Sequence, residues 1–391
     1  MPILLDSGGS DLKIVDVKTF VVGNPWKNWV FVKVYTDEGI VGLGEATQGL
    51  QTKPAEVAVH ELKPLYMGQD PRQVVAIWDR MYKGIFLRHD SAVTAIECAC
   101  WDILGKSLGV PVWQLLGGKI RPRVRAYANG WYQGPRDPVF FAERAKEVVS
   151  LGYTALKFDP FGSAYRFMDA AEEKLSLRIV AAVREAVGEG VDLLIEAHDR
   201  LSVSTAIRIG RALAEYRPMW IETPVMSTDI EATVEVARQI PIPVASGERF
   251  ANKKDFARLL QSGAVDIVQP ELLRVGGVMP LVKVAALAEA FEAFVAPHNA
   301  QSPYTTVVNT MVGATLPNLL IQECFDDFLV PWSREVLTGW ARIEGGYIEV
   351  PDAPGFGVEL NEEEASKYPY ADRNFLRLFE PGWERRRGDE R

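Results

Sequence analysis

From about residue 121 the chain repeats one unit, a short apolar run followed by a stretch with helical periodicity. The runs are VRAYAN (124–129), ALKFD (155–159), LLIEAH (193–198), WIE (220–222), VASGE (244–248), DIVQPE (266–271), FVAPH (294–298) and LIQE (320–323). Between them lie helix-patterned segments such as FAERAKEVVSLG, LSLRIVAAVREAVG and LVKVAALAEAF. Strands joined through helices run parallel, because each crossover carries the chain back to the end where the last strand began. Eight such strands in roughly 200 residues is the count for a closed (β/α) barrel. A doubly wound open sheet is the alternative, but it has no reason to stop at eight. Nor does a glycine fingerprint follow the first strand of the repeat. The expected fold is an α/β barrel of the TIM type over residues 121–340.

What precedes the repeat is organised differently. KIVDVKTFVV and WVFVKVYT alternate with period two, DEGIVGLGE supplies a turn and a third strand, and helical patterns follow up to LLGGK at 115–119. Residues 1–120 are therefore expected to form an α+β capping domain. Its loop GNPWKN (23–28) is expected to expose Trp26 and Lys27. Beyond the barrel, GYIEVPDAPGFGVEL (346–360) reads as one more strand with Pro/Gly turns, and residues 341–391 are expected to return to the capping domain. No Ser/Gly-rich linker separates these parts, which predicts a tight interface between them.

Composition narrows the function. A net charge of −9 argues against nucleic acid and anionic membrane as partners, since both demand a cationic face. The one basic cluster, Arg385 to Arg387, sits in a terminal tail among acids and reads as a solvated end. No apolar run approaches the roughly 20 residues a membrane helix needs. The N-terminus lacks a basic region before its short apolar patch, so no secretion signal is read there. Three cysteines without CxxC spacing, Cys98, Cys100 and Cys324, fit buried thiols in a reducing cytoplasm better than a disulfide framework.

The strand ends carry the chemistry. In order the rim reads Lys157 and Asp159, Glu196 and His198, Glu222, Glu248, Glu271, His298 and Glu323. Glu196, Glu222 and Glu248 are spaced 26 residues apart, about one strand–helix unit. In a strand, residues two apart share a side, so Glu196 and His198 are expected to face one space. A single strand-end glutamate is more often a helix N-terminal charge or a surface ion pair than a ligand. Three together in a low-dielectric mouth resist joint ionisation, and a cation is expected among them. All-oxygen ligands without a thiolate select Mg²⁺ over zinc. Three carboxylates on one Mg²⁺ leave a negative surplus, so an anionic substrate needs Lys157, Arg200 and Arg249 nearby. Of the four histidines, His60 and His89 are given structural roles. His298 ends the strand after Glu271, and a carboxylate on one imidazole nitrogen makes the other a general base. A buried His–Glu pair without catalytic use is the duller alternative, and it is set below the general-base reading.

Taken together, the chain resembles the enolase superfamily and, within it, the mandelate racemase subgroup. The resemblance spans nearly the whole length: GLGEA (42–46), AIECACWDILGK (95–106), LLGGK, the three glutamate strand ends, IVQPELLRVGG (267–277), the strand-seven histidine and PGFGVEL (354–360). It implies a modified (β/α)₇β barrel in which Glu196, Glu222 and Glu248 bind one Mg²⁺. It also implies that Glu271 and His298 form the acid–base dyad, that Glu323 hydrogen-bonds the enolate, and that the 23–28 loop closes over the substrate. The shared step would be abstraction of the proton α to a carboxylate, with Mg²⁺ as Lewis acid. Racemases of the subgroup carry K-x-K at strand two; here Lys157-Phe158-Asp159 removes the second base. Glu196-Ala197-His198 resembles the acid-sugar dehydratases, in which such a histidine protonates the departing 3-hydroxyl. YANGWYQ (127–133) and ALKFDPFG (155–162) look most like gluconate dehydratases. Two departures stand out: the usual E-E-P reads Glu222-Thr223-Pro224, and the dyad acid is Glu271 where Asp is commoner.

The resemblance therefore implies an Mg²⁺-dependent aldonate or aldarate dehydratase, a hydro-lyase giving a 2-keto-3-deoxy acid. Its substrate would be a small anionic sugar acid, and its assembly a cytoplasmic homo-oligomer, dimer or octamer. Expected substrate contacts are Asp159, Arg200, Arg249 and Glu323, with Trp26, Lys27, Trp131 and Tyr132 contributed by loops. Three other readings stay open: a cycloisomerase of an anhydro- or lactone sugar acid, a Schiff-base aldolase using Lys157, and a binding protein that has kept the barrel.

Overall fold

Parallel pairing is what the repeat demands, and it closes on itself. The computed structural model describes residues 12–84, 89–372 and 377–385, apart from the side chain of Glu384. Residues 1–11, where no secretion signal was read, and Arg386 and Arg387 of the basic cluster lie outside the described residues. Strands β4 (Arg123–Ala128), β5 (Ala155–Phe158), β6 (Asp192–Glu196), β7 (Trp220–Glu222), β8 (Val244–Ser246), β9 (Ile267–Val268) and β10 (Phe294–Val295) are consecutive parallel neighbours. The eighth, β11 (Gln322–Cys324), pairs in parallel with β4, and a bridge from Val295 to Leu319 joins it to β10. Helices separate the successive strands as far as Pro303–Gly313, which precedes β11, so the barrel is (β/α)₇β.

Inside it one side chain per strand forms an apolar plug: Tyr127, Ala155, Leu194, Trp220, Ala245, Ile267, Ala296 and Ile321. Because side chains alternate along a strand, the next inward position lies two residues further toward the C-terminal rim. Those positions are Asn129, Lys157, Glu196, Glu222, Gly247, Gln269, His298 and Glu323. An apolar floor thus carries a polar layer directly above it.

Several strands are shorter than the apolar runs. β8 stops before Gly247, which has φ +128°, while Pro270 and Pro297 follow the short β9 and β10 and have no N–H for the ladder. β6 ends at Glu196, and His198 has φ +49°, so the period-two argument for Glu196 and His198 does not hold. They meet instead because a left-handed turn brings the His198 N–H within 2.7 Å of Glu196 Oε1.

The N-terminal sheet is an antiparallel meander of β1 (Ile14–Val22), β2 (Trp29–Thr36) and β3 (Val41–Glu45). The Asp90–Leu108 helix lies on β3, at glycines where a Cβ would strike Ala95 O and Ala99 O. Buried carboxylates tie this layer to the rest. Asp102 accepts from Leu43 N at 3.0 Å and from Phe356 N at 2.8 Å, joining sheet, helix and the PGFG turn. Glu97 accepts from Val278 N and Met279 N, at 2.9 and 3.0 Å, and so caps a helix of the barrel from outside. Glu45, at the end of β3, accepts from Ser302 Oγ at 2.5 Å and Thr305 Oγ1 at 2.7 Å. Each such bond is worth roughly 1 kcal/mol net, and each is lost if the layers part. Among the described residues no helix is long and apolar enough to cross a membrane, and Cys98, Cys100 and Cys324 are all buried thiols.

Candidate active site at the mouth of the barrel

Register explains why the acids meet. Glu196 and Glu222 are direct partners across β6 and β7, and Glu248 follows the turn at Gly247 on the next strand. One carboxylate oxygen from each lies within 4.8 Å of the others, with Glu196 and Glu222 buried. Burial and the neighbouring Glu196 push Glu222 up to about 8, the response of a carboxylate asked to ionise beside another. Among the described residues this is the one cluster of three whose geometry suits a metal ion. Its donors are all carboxylate oxygens, which fit a hard divalent cation.

Lys157 already supplies positive charge there. Its Nζ lies 2.5 Å from Glu222 Oε1, 2.7 Å from Glu323 Oε1 and 3.2 Å from Glu196 Oε2, all buried. Burial alone would discharge the amine, but Glu222, Glu323 and Glu196 outweigh it and hold Lys157 firmly protonated. An amine ion-paired to three buried carboxylates is a poor nucleophile, which argues against the Schiff-base reading.

Two carboxylate–imidazole pairs flank the acids. His298 Nδ1 lies 2.5 Å from Glu271 Oε2, and a parallel bridge between these two residues fixes their backbones side by side. The longer glutamate side chain at 271 therefore still reaches. His298 Nε2 points inward, 3.2 Å from Glu248 Oε2 and 3.8 Å from Glu323 Oε2. Burial opposes charge on this ring, yet Glu248, Glu323 and Glu271 raise its pKa to about 10. On the other side, His198 Nδ1 lies 2.6 Å from Asp159 Oδ2. β6 and β10 are the third and seventh barrel strands, so the two pairs stand at opposite strands of the barrel.

Other expected residues sit differently. Arg200 is fully buried and pairs with Asp159 and with the Gly162 and Ala197 carbonyls, so its charge orients Asp159 and does not face a substrate. Asp159 is likewise enclosed, and its role as a direct substrate contact gives way to that of partner to His198. Arg249 lies at the rim with its Nε 2.6 Å from Asp199 Oδ2 and its side chain 41% exposed. Tyr132 and Trp131 are buried among Phe141 and Phe158, with the Trp131 indole N–H on Lys157 O; the loop they were expected to offer is core packing. Lys27 is also buried, donating to Gln301 Oε1 at 3.3 Å, and burial lowers its pKa to about 8. Trp26 stacks on Phe325 at 4.8 Å, beside a cavity of about 80 Å³ between the 23–28 loop and the Phe325–Val330 segment.

Glu323, expected to hydrogen-bond the enolate, lies 2.7 Å from Lys157 Nζ. Burial would raise its pKa, but Lys157 and His298 dominate and lower it to about 2. Its acceptors are used by Asn129 Nδ2 and Asn299 N, both at 2.7 Å. Those two asparagines were missed in the sequence, although Asn129 lies one inward step beyond Tyr127. Thr223 was noted only as a departure; its hydroxyl donates to Glu196 Oε1 at 3.0 Å, so a neutral donor stands where the family carries a carboxylate.

Comparisons with known proteins bear on the family and the fold. The model of the mandelate racemase / muconate lactonizing enzyme N-terminal domain matches residues 17–117, and that of the enolase C-terminal domain-like family matches residues 141–365. A D-gluconate dehydratase of Thermoproteus tenax is 40% identical over 88% of this chain and 70% of its own length. A D-gluconate/D-galactonate dehydratase of Picrophilus torridus is 38% identical over 92% of this chain and 93% of its own. Among solved structures, a mandelate racemase/muconate lactonizing enzyme from Sulfitobacter sp. superposes with a TM-score of 0.86 at 35% identity, covering 92% of this chain and 96% of that one.

Proposed function

We propose, for a chain that belongs to the mandelate racemase/muconate lactonizing enzyme family of the enolase superfamily, that it dehydrates a sugar acid to a 2-keto-3-deoxy acid. The observation that carries this reading is the pair of imidazoles on the third and seventh strands, each held at Nδ1 by a carboxylate.

Glu196, Glu222 and Glu248 would hold the cation, Mg²⁺ in this reading. When bound, it supplies Lewis acidity toward the substrate carboxylate and neutralises Glu248, whose charge otherwise keeps His298 protonated. The remaining steps belong to the chain. Lys157 offers its ammonium to the negative charge that develops on the carboxylate as the C2 proton leaves. His298 Nε2 takes that proton, with Glu271 stabilising the imidazolium through Nδ1–H. His198 Nε2 delivers a proton to the C3 hydroxyl, the C3–O bond breaks, and water departs. The enol left between C2 and C3 then ketonises, taking its new C3 hydrogen from solvent. Asp159 and Arg200 act behind His198, fixing its ring so that Nε2 is the donor. The substrate is thus a small anionic acid, and assembly as a homo-oligomer is part of the same proposal.

A cycloisomerase would use the same metal site and base but has no need of an acid at His198. The pairing of His198 with Asp159 favours dehydration. His198→Asn is the test: dehydration is expected to fall by about 10²–10⁴-fold, while His298-dependent exchange of the C2 proton in D₂O continues at nearly the wild-type rate. Equal loss of both activities, or retention of dehydration, would overturn the role given to His198.

A further inference from the structure

We propose that Trp383, near the C-terminal end of the chain, is a positioning residue for His198. Around it the tail is exposed, with Phe379 about half accessible, yet the indole of Trp383 is only 6% exposed. Three contacts seat it. Its Nε1–H donates to Gly162 O at 2.9 Å, the same carbonyl that accepts from the buried Arg200. Its ring meets the His198 ring edge-on, with centroids 6.0 Å apart and planes at 85°. It also meets Tyr132 at 6.4 Å and 86°.

Those contacts complete a frame around one imidazole. Asp159 grips His198 Nδ1, Arg200 holds Asp159, and Gly162 O ties Arg200 to Trp383. His198 itself sits in a left-handed turn at φ +49°, a conformation costly for a residue with a side chain and held only by its surroundings. The bond at Nδ1 sets the tautomer and anchors one corner of the ring, and packing on the ring itself holds its tilt. The indole supplies that packing and so decides where Nε2 points. Phe379, 5.7 Å from the Arg200 guanidinium carbon, adds a second contact from the same tail segment. No comparable tail contact reaches His298 among the described residues, so the effect is confined to one side of the mouth.

The inference rests on the dehydratase reading, and its test separates the two. With Mg²⁺ and a sugar acid that the wild type dehydrates, Trp383→Ala is expected to lower kcat for dehydration by roughly 10–100-fold with little change in KM, because a displaced acid is a slow one. C2 exchange in D₂O, which does not use His198, is expected to stay within about twofold of wild type, a split that general loosening of the fold would not produce. Trp383→Phe, which keeps a ring edge without the N–H, is expected to restore most of the rate. If Trp383→Ala does not fold, Trp383→Leu carries the same comparison. Unchanged dehydration, or parallel loss of dehydration and exchange, overturns the proposal. If the wild type dehydrates no sugar acid, the dehydratase reading fails, and the positioning of His198 is then decided by diethylpyrocarbonate labelling followed by peptide mapping. Faster labelling of His198 in Trp383→Ala supports it; an unchanged rate overturns it.

Discussion

His298→Asn is expected to abolish both C2-proton exchange and dehydration, each by about 10²–10⁴-fold. The loss is larger in scope than that of His198→Asn because proton abstraction comes first and everything later depends on it. Asparagine keeps a side-chain amide able to reach Glu271, so the buried carboxylate need not lose its partner and the fold is expected to stand. What it lacks is a nitrogen that can accept a proton, which His298 Nε2 offers 3.2 Å from Glu248. Exchange is read by loss of the C2–H signal in D₂O. A variant that exchanged at the wild-type rate would contradict the assignment of His298 as the base.

Lys157→Met is expected to act on stability as strongly as on rate. In the wild type one ammonium satisfies Glu196, Glu222 and Glu323, all buried. Removing it leaves those carboxylates without their cation, a loss of roughly 3–5 kcal/mol in the metal-free protein. Adding Mg²⁺ is then expected to raise Tm more in the variant than in wild type, because the ion would replace the missing charge on Glu196 and Glu222. Activity with saturating Mg²⁺ is expected to remain down by about 10²–10³-fold, the cost of removing one fixed donor to developing negative charge. Thermal unfolding with and without the ion checks both parts. A Lys157→Met protein as stable as wild type without metal would show that the ammonium does not compensate the buried acids, contrary to the electrostatic account.

Much of this was legible in the text of the chain. Helix-linked runs ending in Glu196, Glu222 and Glu248 imply parallel neighbours, and parallel pairing at equal spacing brings strand ends together. His298 and Glu271 were legible for the same reason. Harder to read was which side chains an enclosed mouth would keep for itself. Arg200 looked like a free cation because nothing in a sequence reveals that Asp159 and the Gly162 carbonyl surround it. Trp131 and Tyr132 follow a strand and look like loop residues, yet Phe141 of the next helix closes over them. Lys27 was misjudged likewise, since its burial depends on Gln301, far away in sequence. The period-two link between Glu196 and His198 reached the right neighbours through the wrong geometry, because the left-handed turn after β6 is invisible to alternation. Trp383 carried no signal, since a tryptophan in a polar tail means little until its neighbours are known.

The most direct measurement is product NMR on the wild-type protein, incubated with Mg²⁺ and a panel of aldonates and aldarates in D₂O. The account predicts that at least one sugar acid yields a 2-keto acid whose C3 has become a CHD centre beside the new carbonyl, with one deuterium taken from solvent. Rearrangement without a C3 methylene, or C2 exchange with no elimination from any member of the panel, would contradict it.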